Sequence, residues 1–490
     1  MQLSSVLKGV EQTKQCCDFS LEITGVSFNS KQVKRGDVFV CLKGKTNGNN
    51  YVQEAILNGA VCIVSEDNLN VELPCVVVKN SRIALSQICK NFYNNAVDSL
   101  KVIMVTGTNG KTTTSYLIYN ILKHNNINCA LFGTNGIFYD NKQLYYGLTT
   151  PDPTDLHFWF EQLKNLNVTH VVMEVSAHAI KLNKLYGIKA EQIIFTNLTE
   201  EHLDYFLTME QYANTKLNFI NSANTKLAIT NVDDSYGIKL LKGDVQTISY
   251  GLSFPSDTFA LNISNSISGL NFYVNVMDEI IQIKSSLSGL YNVYNLMAAI
   301  TSAHCLGVTV NNIKTAIEKT KLIPGRFNKF YLDLNKLVVV DFAHTPDGFE
   351  KVLSELKQFR SGKIIVVFGC VGYSDTEKRI NMGRVASKYS NEIVLTTDNP
   401  NFTNFTDICD DVVKGVSVPY KLEFDRKVAV RNSFMNLKEN ETLVLLGKGC
   451  ETTNLINGEL IAYSDLDEVE NCIKEFYSVK KGDRIDENII

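Results

Sequence analysis

Three observations predict an α/β chain of three domains: an N-terminal α/β domain, a central domain with a mostly parallel sheet, and a C-terminal Rossmann-like domain. Short apolar runs suited to buried parallel strands alternate with helical segments along most of the chain. A strand, a glycine turn and a helix follow one another over 102–123. The run Ile323-Pro-Gly-Arg-Phe327 breaks the pattern, because Pro and Gly stop a helix, and the alternation then resumes. At 490 residues the chain is also too long for one core.

In chain order, residues 1–98 alternate short strands (38–42, 61–64, 76–78) with helices. Residues 99–325 carry strands at 102–105, 170–175, 192–196 and 227–230. The stretch 247–288 differs: its β-rich runs and the Ile280-Ile-Gln-Ile pattern predict a small antiparallel insert or edge. A helix over 293–306 follows. Residues 326–490 carry strands at 337–340, 364–368, 392–395 and 443–446, each ending in a polar or glycine-containing loop. Ligands of such sheets sit at the carboxyl ends of the strands. No repeat or low-complexity segment occurs, and the charged tail over 480–490 is expected to be disordered.

Composition is that of an ordinary globular chain, 44% hydrophobic and 20% charged with a net charge of −4. Without a basic excess, nucleic acid is not an expected partner. The start lacks a charged segment followed by an apolar one, and no run of about eighteen apolar residues occurs. The expectation is a chain without membrane insertion. Twelve cysteines make neither a zinc-ligand spacing nor a disulfide framework, so the reducing cytoplasm is the expected compartment. Cys62, Cys75, Cys129 and Cys305 read as small core residues.

The most specific signal is Met104-Val-Thr-Gly-Thr-Asn-Gly-Lys-Thr-Thr113. Gly107 and Gly110 let the backbone of Thr108 and Asn109 close around phosphate oxygens. Lys111 supplies a mobile cation, Thr112 a hydroxyl for Mg²⁺, and Thr113 continues the helix. Only Thr108 and Asn109 separate the glycines, where the general P-loop has four residues. The alternative, a plain strand-to-helix turn, leaves that register of strand, loop and helix unexplained. The site is therefore read as one for a nucleoside triphosphate. Glu174 and His202, at neighbouring strand ends, could share a divalent metal with the phosphates, as Mg²⁺ prefers oxygen-rich surroundings. Lys216 alone would read as a surface helix lysine.

Taken in order, these segments resemble the Mur ligase family of ATP-dependent amide ligases, in the branch that adds a third amino acid to a UDP-sugar peptide. The matches run through nearly the whole chain. They include Asn29-Ser-Lys31, Gly36-Asp-Val-Phe39, Thr149-Thr-Pro151, Glu174-Val-Ser, His202-Leu-Asp-Tyr, Asn231-Val-Asp-Asp and Tyr291-Asn-Val-Tyr-Asn295. Further on come Pro324-Gly-Arg326, Asp341-Phe-Ala-His-Thr-Pro-Asp347, Phe368-Gly-Cys370, Lys378-Arg379, Asp398-Asn-Pro400, Asp425-Arg426 and Gly447-Lys-Gly449.

The resemblance implies a UDP-sugar-binding domain over 1–98, an ATP-binding domain over 99–325 and an amino-acid-binding domain over 326–490, in a monomer. It implies that Lys111 and Thr112 grip ATP and that Thr112, Glu174, His202 and a carbamylated Lys216 serve two Mg²⁺ sites. Asn292, Asn295, Arg326, Asp341 and His344 match nucleotide contacts. Ser30, Lys45, Thr46, Thr149, Thr150, Ser176 and Lys184 match contacts to UDP-MurNAc-L-Ala-D-Glu, Lys184 standing where an arginine is usual, so that the bidentate fork is lost. Ser374, Arg379, Asp398, Asn399, Asn401, Gly447 and Glu451 match the amino-acid site. The implied chemistry is carboxyl activation as an acyl phosphate, displaced by the incoming amine.

That amino-acid site departs from the family. Members that add meso-diaminopimelate carry Asp-Asn-Pro-Arg, whose arginine pairs with the distal carboxylate; here the run is Asp398-Asn-Pro-Asn401, and an asparagine gives no charged fork. This favours L-lysine or a similar diamino acid such as L-ornithine, with meso-diaminopimelate, or a different acceptor, as the alternative. Tyr373-Ser-Asp375 replaces Asp-Arg-Asp, leaving Lys378 or Arg379 as candidate substitutes. Phe206-Leu207 replaces a His-Gly pair. Cys450 replaces a histidine and reads as neutral, since nothing local marks a thiolate. A folylpolyglutamate synthetase would lack the N-terminal Asn29-Ser-Lys31 segment, and a degenerate binding protein would have lost Lys111, Glu174, His202 or Lys216. A generic P-loop hydrolase would leave the segments 341–347 and 398–401 unexplained.

Overall fold

Three main sheets and one separate hairpin organise the chain. The computed structural model describes residues 1–14, 20–44, 46–372 and 375–479, so Lys45, Ser374 and the tail over 480–490 lie outside the described residues. The chain falls into two units. Met1–Leu198, Thr208–Phe259 and Ala298–Ile313 make the first; Thr199–Leu207, Ala260–Met297 and Lys314–Ile490 make the second.

Within the first unit, the N-terminal sheet has the order Gln12–Lys14, Cys75–Val78, Cys62–Ser65, Asp37–Val40, Gly25–Ser27, parallel except at its first pair. One face packs Leu3, Val6, Val38, Val40, Val64 and Ile88; the other packs Phe39, Ile63 and Ala55. The central sheet runs Thr247–Gly251, Thr225–Asn231, Ala190–Phe195, Lys101–Thr106, His170–Val175, Cys129–Gly133, all parallel. Its inner strands are buried on both faces, hence their unbroken apolar runs. Register aligns this edge: Thr106 lies beside both Val175 and Phe195, so three strands end level and their loops converge.

In the second unit the six-stranded order is Asn328–Tyr331, Leu337–Asp341, Thr442–Leu446, Ile364–Phe368, Glu392–Leu395, Tyr420–Leu422, antiparallel only at the first pair. Asp341 pairs with Leu446, and Phe368 with Leu395. The loops carrying Gly447 and Asp398 therefore leave the same edge. Helices cover both faces, burying Phe349, Leu353 and Met382 on one and Ala429, Phe434 and Val469 on the other.

The stretch 247–288 is only partly the antiparallel insert expected. Thr247–Gly251 extends the parallel sheet through the crossover at Gly237–Lys242, while Gly269–Val276 and Glu279–Ser285 form an antiparallel pair. Hairpins Gly136–Tyr139/Lys142–Tyr145 and Thr453–Ile456/Glu459–Ala462 escaped the sequence reading, because short, half-exposed strands carry little periodicity. Asn457 and Gly458 at φ 51° and 82° make the tight turn that an Asn-Gly pair signals.

Candidate active site

The phosphate loop is held from outside by the next strand's loop. Thr108 N–H donates to the Asn197 carbonyl at 2.8 Å and Asn109 N–H to Asn197 Oδ1 at 2.9 Å. Thr196 Oγ1 and Asn197 Nδ2 donate to the Asn109 carbonyl at 2.6 and 3.0 Å. Gly107, at φ 147°, lies so close that a Cβ there would run into Thr196 Oγ1 and the Asn197 backbone. Gly110, at φ 85°, turns the chain into the helix Lys111–His124. Lys111 Nζ donates to the carbonyls of Gly107 and Thr108 at 3.0 and 2.6 Å, so its ammonium sits over the loop.

Glu174, 1% exposed, is the centre of a hydroxyl cluster. Thr112 Oγ1 and Thr134 Oγ1 donate to its Oε2 at 2.9 and 3.1 Å, and Thr134 N–H to its Oε1 at 3.0 Å. Gly133 is required beside it, since a Cβ would meet the carboxylate. Thr149 Oγ1 lies 3.2 Å from Thr134 Oγ1, and Thr150 Oγ1 donates to the Glu174 carbonyl at 3.0 Å and accepts from Ser176 N–H at 3.1 Å. Ser176 caps the helix Ala177–Lys181, and Lys184 pairs with Asp152 at 2.8 Å. Thus Thr112, Glu174, Thr149, Thr150 and Ser176, read separately from the sequence, form one neighbourhood. Ser30 instead donates to Glu54 at 2.6 Å, joining the helical turn Ser30–Gln32 to the helix Val52–Leu57, and the exposed Thr46 accepts from Gly44 N–H through its carbonyl.

Lys216 is no surface lysine. It is 1% exposed, and its Nζ donates to the Gly107 carbonyl at 2.9 Å and Thr106 Oγ1 at 3.3 Å, with the Tyr212 ring 5.1 Å away. Tyr212 OH in turn meets Thr108 Oγ1 at 3.2 Å. Its buried place beneath the loop follows from the helix Met209–Phe219, whose Tyr212, Ala213 and Lys216 share the inward face at helical spacing.

The second unit carries the remaining nucleotide candidates. Buried Asn292 and Asn295 bond each other at 2.9 Å, and Arg326 stacks 4.4 Å over Phe342. Asp341 accepts from Phe327 N–H and Ala343 N–H, each at 2.7 Å; burial raises its pKa, with the Arg326 charge opposing. Glu201 stands between two imidazoles, with His202 Nε2 and His344 Nε2 each 3.5 Å from one of its oxygens. Leu207, where the family has glycine, sits exposed at φ 63°.

At the loops carrying Asp398 and Gly447, Lys448 is fully buried. Its Nζ donates to Asn399 Oδ1 at 2.9 Å, Glu451 Oε2 at 2.9 Å and the Thr453 carbonyl at 2.8 Å, with Asp398 Oδ1 at 3.3 Å. Asn399, at φ 50°, also donates to Glu451 Oε2 at 3.0 Å. Gly447, at φ 106°, has no room for a Cβ beside Asp398 Oδ2. Asn401 is built into the hairpin: its N–H donates to the Leu455 carbonyl and its Oδ1 accepts from Gly458 N–H at 3.0 Å. Arg379 is buried, with Nη1 on Asp411 at 3.1 Å and Nη2 on the Val371 carbonyl at 3.1 Å.

Sequence reasoning assigned nothing to Thr134, Thr196, Asn197, Tyr212 or Glu201, and quoted Lys448 and Arg426 without a role. Glu201 adjoins His202 and was legible as a partner, and Tyr212 lies one helical turn before Lys216; the others reach the site through contacts between segments distant in sequence.

Family models match all three parts: the Mur ligase family catalytic domain over residues 22–103, the Mur ligase middle domain over 105–303, and the Mur ligase glutamate ligase domain over 325–449. The chain is 35% identical over 483 residues to the UDP-N-acetylmuramoyl-L-alanyl-D-glutamate–2,6-diaminopimelate ligase of Caldanaerobacter subterraneus subsp. tengcongensis, covering 97% of this chain and 99% of that one. It is 35% identical to the ligase of the same name from Clostridium botulinum, covering 97% and 100%. A solved structure of a ligase of that name superposes with a TM-score of 0.69 at 27% identity, covering 97% and 99%. With the short phosphate loop, the Thr112–Glu174 pair and likeness from end to end, the chain belongs to the Mur ligase family and is an ATP-dependent ligase.

Proposed function

We propose that this ligase joins a diamino acid to the terminal D-glutamate carboxylate of UDP-MurNAc-L-Ala-D-Glu, in peptidoglycan precursor synthesis. The observation that carries the reading is the Thr112–Glu174–Thr134 cluster at the end of the phosphate loop, in a chain whose relatives bear that ligase name. Three domain roles follow the same pattern: UDP-sugar over 1–98, ATP over 99–325, amino acid over 326–490.

The D-glutamate carboxylate oxygen attacks the γ-phosphorus and ADP leaves, giving an acyl phosphate. The amine then attacks the carbonyl carbon, phosphate leaves and the amine gives up a proton. Two anions must meet in the first step, so positive charge at the phosphates lowers the barrier. Lys111 over the loop and the amino end of the helix Lys111–His124 supply it. The buried carboxylate of Glu174 beside the Thr112 hydroxyl is a donor set that fits Mg²⁺. That ion would add charge neutralisation at the phosphate oxygens. Carbamylation of Lys216 would turn a buried cation into a carboxylate-like ligand, and its place against Gly107 and Thr106 supports that role. Thr149, Thr150 and Ser176 offer hydroxyls to the UDP-sugar peptide.

Diaminopimelate is the amino acid the relatives' names favour. L-lysine is the second reading, favoured by Asn401, whose side-chain Oδ1 is occupied by Gly458 N–H, and by Arg379, whose guanidinium is committed to Asp411. Phosphate release from ATP with UDP-MurNAc-L-Ala-D-Glu, with meso-diaminopimelate, L-lysine and L-ornithine supplied separately and product masses measured, tests both. Turnover with one of them establishes the ligase and its amino acid; ATP binding without turnover on any overturns the acceptor assignment.

A further inference from the structure

Resting on that reading, we infer that Lys448 is a positioning residue for the incoming amino acid, which orients Asp398 and Glu451 together and offsets their mutual repulsion. Its amine is fully buried at the meeting point of three segments: the loop after Glu392–Leu395, its own loop after Thr442–Leu446, and the hairpin strand Thr453–Ile456. Each carboxylate gives one oxygen to that amine, Asp398 Oδ1 at 3.3 Å and Glu451 Oε2 at 2.9 Å. Glu451 Oε2 is further fixed by Asn399 Nδ2, and Asn399 Oδ1 is itself held by Lys448 Nζ and Leu455 N–H. The remaining oxygens, Asp398 Oδ2 and Glu451 Oε1, are thereby set in direction. Two carboxylates around one ammonium leave a net negative charge, suited to a substrate ammonium.

The fold of these loops has a separate brace. Arg426 donates to the carbonyls of Thr397 and Leu446, the residues just before Asp398 and Gly447, at 3.3 and 2.8 Å. Asp465 accepts from the same guanidinium at 2.9 and 2.7 Å, both partners being buried. The backbone is therefore pinned by Arg426, while Lys448 contacts mainly side chains that face the loops. Losing the Lys448 amine leaves the buried Asp398 and the partly buried Glu451 without their shared donor, and the two carboxylates turn away from one another.

The test compares the wild type with Lys448→Met and Asn399→Ala, reading KM for the amino acid, ATP and UDP-MurNAc-L-Ala-D-Glu, together with Tm. Lys448→Met is expected to lower kcat/KM for the amino acid roughly a hundredfold, the scale of an ångström's misplacement, with the other two KM values little changed; Tm falls as well, since a buried carboxylate loses its partner. Adding Glu451→Gln to Lys448→Met should cost less than the product of the single effects, since one repelling charge is gone. An unchanged amino-acid KM, or a fall of all three affinities together with Tm, overturns the inference. Should Lys448→Met not fold, Asn399→Ala decides: it removes an acceptor of the amine and a donor to Glu451, so an amino-acid KM equal to wild type overturns the inference. A wild type inactive with every diamino acid overturns the functional reading instead.

Discussion

The loop at Gly107–Thr112 and the loops around Asp398 are built from opposite materials. Around Gly107–Thr112 the contacts are mostly backbone groups and neutral hydroxyls: Asn197, Thr196 and Thr134 brace carbonyls, amides and one carboxylate. Around Asp398 the site is a network of charged and amide side chains, Lys448, Glu451 and Asn399, over a second buried ion pair, Arg426 with Asp465. Backbone N–H groups suit phosphate oxygens, and ATP is common to such ligases. Side-chain charge is what differs between one amino acid and another, and it can change without moving a strand. The first region therefore keeps its motif, while the second shows replacements at 374, 401 and 450.

The largest expected effect tests the first half of that contrast. Lys111→Ala removes the cation over the loop and should cut phosphate release by about a thousandfold or more; normal product formation would remove the loop from the mechanism. Lys216→Ala should also be inactive, with partial recovery on adding short-chain carboxylates such as acetate. Full activity without them sinks the carbamate role.

A smaller effect probes the second half. Asn401→Arg replaces an acceptor of Gly458 N–H with a guanidinium, and should raise the use of meso-diaminopimelate relative to L-lysine about tenfold. An unaltered ratio in competition assays would mean that residue 401 serves the hairpin alone, as its hydrogen bonds already do in part.

The smallest concerns buried polarity with no functional role. His157, 1% exposed and without a partner at Nε2, is pushed down to about 3 chiefly by burial, with the Lys90 charge adding to it. Its folded-state pKa lies below the unfolded value near 6.5, so the unfolded chain binds the extra proton between those limits. The stability this contributes is present above about pH 6.5 and is lost as pH falls toward about 3. His157→Leu should move the acid-unfolding midpoint to lower pH in circular-dichroism titrations, with ligase activity at neutral pH retained. An unmoved midpoint would locate the acid sensitivity of this unit elsewhere.

The sequence by itself determined the parts that local physics controls. Apolar runs placed the strands His170–Val175, Ile364–Phe368 and Glu392–Leu395, because doubly buried parallel strands need no polar face. The Gly107–Lys111 spacing fixed the phosphate loop, since its shape depends on consecutive backbone angles. Tertiary structure decided the rest. Strand register brought Thr134 and Thr149 to Glu174 and Asn197 to the loop across gaps that no spacing encodes. Packing turned Lys216 from an unremarkable helix lysine into a buried group under the phosphate loop. It also committed Arg379 and the side-chain Oδ1 of Asn401 to structural partners, although sequence position had offered both to the substrate. Which atoms remain available to a ligand depends on what the folded chain has already satisfied, and hydrogen-bond satisfaction is settled among residues distant in sequence.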